Sequence, residues 1–537
     1  LRRSTIKKKL LFPIDWSRLL QVTIKCFTAI SLPYVSAYSI SAKKPNASTN
    51  GLANSNQSHK SRRPMILNFS IQNFGSIKDK QTLSFEADKS DHLEEAYVTR
   101  CGGRRILKLA LLYGANASGK TTVLKALDFL RKLVVEPKSK KTERLDFEPY
   151  LFDPDTPKQP TVLSIEFIRN EVRYAYRVEF TKEAVVAEEL YAYAPNKARI
   201  YQRTTDLERQ FVEIKFGSKM TKSKAMKQSL TANTLWNNTV LGGYLKTNVD
   251  SKELQEVVDW FKLYLKRMVQ PQTSFEDLIF YKMKEGTLLS SDMIPILQQA
   301  DLHISDIIIQ QWEANNAEKS FISSSQLVKM PISSEFSIMK EIEGRHQFGD
   351  PKIVSSSGTF RIDASKIDSP RTGLFEKIRS LFKFDEVMLE HTVNGEKYQL
   401  PLAEESRGTK RYYEFAGLLA LFIKDPRAML IDELETSLHP DLYRHFIVSY
   451  LLNTKDSQIL ATTHNRELLD DRDLFRNDAI WFTDKSNADA TELYSLADFD
   501  RSVIGKKTNV LNAYKSGKLS GTPILGDTHI DLNHGKN

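Results

Sequence analysis

Nine residues, GANASGKTT from Gly114 to Thr122, limit what this chain can fold into more than any other stretch. They follow the apolar run LKLALLY, which reads as a buried strand. They open KTTVLKALDFLRKLVV, where Val123, Leu124, Leu127, Leu130 and Val134 recur at helical spacing. Strand, glycine-containing loop and helix in that order match the pattern Gly-x4-Gly-Lys-Thr in full. Each residue type has a physical task. Gly114 and Gly119 let backbone amides turn inward around a phosphate, and the helix N-terminus adds its partial positive charge. Lys120 reaches the β and γ oxygens of a triphosphate, and the Thr121 hydroxyl coordinates Mg2+. The predicted nucleotide-binding set is Gly114, Asn116, Ala117, Ser118, Gly119, Lys120, Thr121 and Thr122, with ATP and Mg2+ as cofactors. A plain glycine turn is the rival reading, and it predicts no partner motifs downstream.

Partner motifs are present. In AMLIDELE an apolar strand ends at Asp432, which the pattern places beside the metal, and Glu433 follows where it can accept a proton from an attacking water. The next strand, QILATTH, ends at His464, the position expected of a γ-phosphate sensor. Catalytic roles therefore fall on Glu433 and His464, and metal binding on Thr121 and Asp432.

Around this nucleus the chain divides into four parts. Residues 1–64 hold 12 Lys and Arg against one acid, Asp15, and close in a low-complexity polar stretch that cannot bury enough apolar surface to order itself. Met65 opens the alternating stretch MILNFSIQNFGSI, so it is the expected start of the functional protein and residues 1–64 a disordered or extraneous leader. A targeting peptide is the rival reading, since Lys25 precedes the mildly apolar CFTAISLPYVSAYSISA. Because that segment carries almost all of the net +10, positions 65–537 hold 65 basic and 66 acidic residues, and the overall charge says nothing about the body. Residues 65–227 read as the first half of an ATPase head with an antiparallel β subdomain, residues 228–385 as a helical lid, and residues 386–537 as the second half of the head. The segment VMLEHTVNGEKYQLPL reads as a hairpin turning at Asn394 and Gly395. No apolar run approaches the 18 or so residues of a helical membrane span, and two cysteines, Cys26 and Cys101, allow no disulfide framework. A reducing compartment, the cytoplasm, is the default.

Together the segments IQNFGSI, GANASGKTT, ESRGTKR, LIDELETSLHP, ATTHN, FRNDAIWF, ELYSLADF and YKSGKLSGTP resemble the ABC-type ATPases of the SMC and RecF kind. Within them the chain is most similar to the compact OLD-like AAA ATPases of prokaryotic defence and abortive infection. The resemblance implies an α/β fold, a P-loop NTPase of the ABC-ATPase head type with an antiparallel β subdomain and an inserted helical lid. It makes ESRGTKR the signature loop, offering Ser406 and Gly408 to the nucleotide of another subunit, and Ser437 to Pro440 the D-loop. It thereby implies a homodimer or higher homo-oligomer joined head to tail through ATP. Arg407 departs from the usual acidic or small signature residue, and Gln159 is the one candidate for the Q-loop glutamine. The 73 residues after His464 are fewer than a Toprim nuclease takes, so a nuclease or toxin effector is expected on a separate polypeptide.

The function expected is ATP-driven dimerisation that controls such an effector in anti-phage defence. The alternative is a repair or recombination ATPase acting directly on DNA, and a third class is a nucleotide-dependent scaffold that does not hydrolyse. DNA or RNA is carried as a further partner through KFGSKMTKSKAMK (215–227), whose five lysines otherwise form a solvated loop.

Overall fold

Three short runs, LALLYG, AMLI and QILAT, bury every one of their residues. Strands without a polar face need cover on both sides, the condition met by a parallel sheet under helices. The computed structural model describes residues 64–218, 220, 223–300, 303–313, 352–355, 358–362, 382–485, 489–500, 504–505 and 508–522. The chain opens with β1 (Met65–Gln72), β2 (Gln81–Ser84), the pair β3 (Val98–Cys101) and β4 (Arg104–Leu107), then β5 (Leu109–Gly114) and α1 (Lys120–Val135). A meander follows: β6 (Thr161–Arg169), β7 (Val172–Phe180), β8 (Val185–Tyr193), β9 (Lys197–Asp206) and β10 (Phe211–Phe216). Helices α2 (Lys224–Asn233), α3 (Val240–Leu245), α4 (Lys252–Asp259), α5 (Glu276–Lys284) and α6 (Ser290–Gln299) come next. Then come β11 (Ile304–Glu313), β12 (Lys352–Ser355), β13 (Gly358–Ile362), β14 (Phe382–Val393) and β15 (Glu396–Pro401). The last part holds α7 (Arg407–Lys424), β16 (Ala428–Ile431), α8 (Pro440–Asn453), β17 (Gln458–Thr462), β18 (Ile480–Lys485), β19 (Thr491–Ser495) and α9 (Val510–Lys515).

The central sheet runs β16-β17-β5-β18-β19, parallel except at β19, with Met429 opposite Ile459, Leu460 opposite Ala110 and Ile480 opposite Leu111. Strands far apart in sequence thus end side by side, and ligands of open parallel sheets bind outside such carboxyl ends. The second sheet is antiparallel, β10-β9-β8-β7-β6-β1-β2. Gln458 joins the two: its side-chain oxygen accepts from Ile66 N at 2.6 Å, and its amide donates to the carbonyls of Ile66 (3.1 Å) and Leu107 (3.0 Å). Phe129 of α1 packs on Phe74 and Phe180 with ring centroids 5.7 and 5.3 Å apart, which fixes the helix behind the loop against this sheet. Lys108 is buried and donates to the carbonyls of Leu451 (2.5 Å) and Thr454 (2.8 Å), binding β5 to the C-terminal end of α8. Burial lowers its pKa to about 8.

The expected α/β fold with an antiparallel β subdomain is therefore what the chain forms, but the helical lid expected over 228–385 needs correction. After α6 the described residues of that stretch are strands. Helix α6 ends at Gln299, and Ile304–Glu313 pairs antiparallel along β14 in a sheet ordered β11-β14-β13-β12, with β15 also on β14. Four isoleucines, stiff at χ1, suit a pleated surface better than a helix. The hairpin turn is as read: Val393 faces Glu396 across Asn394 and Gly395, both at positive φ (53° and 85°). Residues 1–63 of the expected leader lie outside the described residues, as do Lys219 and Lys222 of the lysine run. No helix among the described residues is long and apolar enough to cross a membrane.

Candidate functional site

Gly114 ends β5, and the loop that follows is held by side chains from elsewhere in the chain. A Cβ on Gly114 would stand 2.5 Å from Ser118 Oγ and 2.5 Å from Thr483 O. A Cβ on Gly119, where φ is +104°, would stand 2.1 Å from Thr491 Oγ1 and 2.8 Å from Ser76 Oγ. Both glycines are required by close approach, and Gly119 by its backbone as well. The scaffold is a chain of hydroxyls. Ser118 and Thr483 share a hydrogen bond of 2.6 Å, Thr491 Oγ1 donates to Ser118 O at 2.9 Å, and Ser76 Oγ donates to Thr122 Oγ1 at 3.0 Å. The hydroxyls of Ser118 and Thr122 are thus engaged with the scaffold, while Asn116 and Ala117 form the exposed tip, Ala117 at φ 62°. Gly119 is the N-cap of α1, a 16-residue helix, and offers its first-turn amides no side-chain cap. That is the physical requirement for an anion cradle.

Lys120 is buried and donates to the carbonyls of Gly114 (2.9 Å) and Ala115 (3.0 Å). Burial lowers its pKa, against the opposing pull of Asp432, Glu433 and Glu435. Thr121 Oγ1 donates to Asp432 Oδ1 and Oδ2 at 3.0 and 3.2 Å, so the two residues assigned to the metal, 311 positions apart, are in contact. Thr462 completes the arrangement. Its hydroxyl donates to Asp432 Oδ1 at 2.6 Å and accepts from Glu433 N at 2.8 Å. Glu433 sits at φ 49°, a left-handed conformation uncommon outside glycine, and Thr436 Oγ1 donates to its carboxylate at 3.3 Å. His464 follows β17 at the surface beside this group. Its pKa is lowered by partial desolvation first and by Lys120 second, while Glu435, Glu433 and Asp432 act in the opposite direction. At neutral pH the ring is therefore uncharged and can accept as well as donate.

The structure brings the loop, Asp432, Glu433 and His464 together, while the contacts of Ser406 and Gly408 are with other residues. Ser406 is the N-cap of α7, its Oγ accepting from Thr409 N at 3.0 Å, and a Cβ on Gly408 would meet Ser437 O at 3.9 Å. The segments likened to a signature loop and a D-loop are thus neighbours, and among the described residues no hydrogen bond joins Ser406 or Gly408 to the loop of Lys120. Gln159 is exposed and contributes its carbonyl to Asn73 Nδ2 at 2.8 Å. Sequence reasoning missed Ser76, Thr462, Thr483, Thr491 and Glu435. Only Glu435 carried a signal, as a third carboxylate in LIDELE.

As a test of metal fit, the donors at hand are one hydroxyl and one carboxylate, hard oxygens already within hydrogen-bond distance of each other. Mg2+ accepts so small a protein share because it keeps waters and takes phosphate oxygens as its remaining ligands. Among the described residues no cluster of three His, Cys, Asp or Glu could hold a different metal.

The profile of one protein family, described as "AAA domain, putative AbiEii toxin, Type IV TA system", matches residues 109–470, from β5 to just beyond His464. No curated protein matches the sequence. Solved structures similar to the chain include the SMC head domain from Thermotoga maritima (11% identity, 80% of this chain and 98% of that one, TM-score 0.33). Another is an SmcHead bound to the C-winged helix domain of ScpA (12%, 80% and 97%, 0.32). A third is an Smc head domain with an extended coiled coil bound to the C-terminal domain of ScpA, derived from Pyrococcus furiosus (12%, 85% and 99%, 0.31).

Proposed function

The chain belongs to the AAA-domain family whose profile spans residues 109–470, and from that premise we propose that it is a Mg2+-dependent ATPase of the OLD-like kind. One observation carries the reading: the Thr121 hydroxyl in the first turn of α1 and the Asp432 carboxylate just after β16 are paired at 3.0 Å beside Lys120. A hydroxyl and a carboxylate assembled from opposite ends of a domain, next to a buried lysine and an uncapped helix, suit a magnesium nucleotide. Bound Mg2+ neutralises phosphate charge and orders the water around it.

The remaining roles belong to the protein. The first-turn amides of α1 and Lys120 bind and orient the phosphates. Glu433, held by its left-handed backbone and by Thr462, accepts the proton of the attacking water. His464, neutral at pH 7, donates to or accepts from the terminal phosphate and reports its presence. Ser406 and Gly408 of a second copy close over the nucleotide, so ATP joins two heads and hydrolysis releases them. The dimer then governs a separate effector, a nuclease or toxin, in cytoplasmic anti-phage defence.

Glu433→Gln tests the chemistry, because it keeps the shape and removes the base. Expected is a fall in kcat of roughly 10²–10⁴-fold, with ATP still bound and a dimer appearing by light scattering only when ATP is present. Wild-type protein that binds ATP without hydrolysing it would overturn the reading. Hydrolysis stimulated by DNA, with no effector co-purifying, would redirect it to an enzyme working on DNA itself.

A further inference from the structure

Glu435 is the carboxylate for which the reaction has no assigned task. It leaves the loop after β16 and reaches the end of β17, where its Oε1 accepts from the backbone N–H of His464 at 2.5 Å. A carboxylate on an amide makes a short, charge-assisted bond, and this one is tertiary. Before it, Thr463 N donates to Leu112 O at 3.1 Å; after it the bonds are local, Asn465 N donating to Thr463 Oγ1 at 3.0 Å and Glu467 N to Asn465 Oδ1 at 2.9 Å. The second oxygen of Glu435 is buried without a hydrogen-bond partner among the described residues, and so is the hydroxyl of Tyr113, one residue before the loop glycine. Placing a carboxylate where only one oxygen is satisfied works against stability, so its presence calls for another reason.

We propose that Glu435 is the positioning residue for His464: by holding that backbone amide it aims the imidazole at the phosphates bound by Lys120. The inference rests on the sensor reading of His464 for its catalytic consequence and on geometry alone for the anchoring. Two measurements on the full chain separate these. The first is hydrogen exchange of the peptide spanning residues 463–467 without nucleotide. Glu435→Ala should exchange faster there, and Glu435→Gln, which keeps an acceptor oxygen, should stay close to wild type. The second is a kinetic cycle with His464→Ala. Glu435→Ala should lower kcat roughly 10–100-fold with KM for ATP nearly unchanged, and the double variant should be no slower than His464→Ala alone. Unchanged exchange in Glu435→Ala, or losses that multiply in the double variant, would overturn the proposal. A His464→Ala enzyme at full speed would sink the sensor reading instead, leaving exchange to decide the anchoring.

Discussion

Removing one buried hydroxyl should disable this site without touching any group expected to meet the nucleotide. Thr462 is fully buried, donates to Asp432 Oδ1 at 2.6 Å and accepts from Glu433 N at 2.8 Å. Thr462→Val keeps the volume and deletes both bonds. Loss of a hydrogen bond to a charged acceptor costs about 1.5–3 kcal/mol, and an amide left unpaired in the interior about 1–3 kcal/mol. Relaxation recovers part of the sum, so a loss of about 2–5 kcal/mol is expected. Differential scanning should then show a melting temperature about 2–6 °C lower. The effect on catalysis comes from geometry: Asp432 loses the donor that orients it toward Thr121, and Glu433 loses the bond that helps hold its left-handed backbone. A fall in kcat of roughly 10–100-fold follows from misplacement of this order. Thr462→Ser restores the hydroxyl and should recover most of both losses. The reasoning fails if Thr462→Val melts within a degree of wild type, or if the serine variant is no better than the valine.

Gly119→Ala meets Thr491 Oγ1 at 2.1 Å and a φ of +104°, so it should lose ATP binding altogether, as seen by equilibrium titration with a fluorescent nucleotide. The combined strain is about 2–5 kcal/mol, read by denaturant unfolding. Lys108 binds its proton less tightly in the fold, with a pKa of about 8, than in the unfolded chain. Between about pH 8 and 10.5 the unfolded state therefore holds more protons and stability rises with pH. Compared with Lys108→Met, wild type should gain up to about 3 kcal/mol across that window in urea unfolding. Below it the full penalty remains. Mixing inactive Lys120→Ala with inactive Ser406→Arg should restore part of the ATPase rate. In a head-to-tail dimer both lesions fall in one site and leave the other whole. A mixture as inactive as its parts would exclude shared sites.

Local order along the chain carries the phosphate loop, the strand-ending Asp432 with Glu433 beside it, and His464 after the next strand. Each is a residue type at a fixed offset from an apolar run, and such offsets survive without knowledge of neighbours. The hydroxyls of Ser76, Thr462, Thr483 and Thr491 could not be found that way. A threonine in a strand is ordinary, and these acquire meaning only when β16, β17, β5 and β18 lie in register and their ends converge. The strand over Ile304–Glu313, within the stretch expected to be helical, escapes sequence reasoning for a related reason. A short apolar run satisfies helix and strand periods alike, and the pairing with β14 decides between them. Sequence determined which chemistry is available, because reactive groups are set by residue identity. Tertiary structure decided which groups are held and by what, because hydrogen bonds form across space and strand order sets which side chains meet.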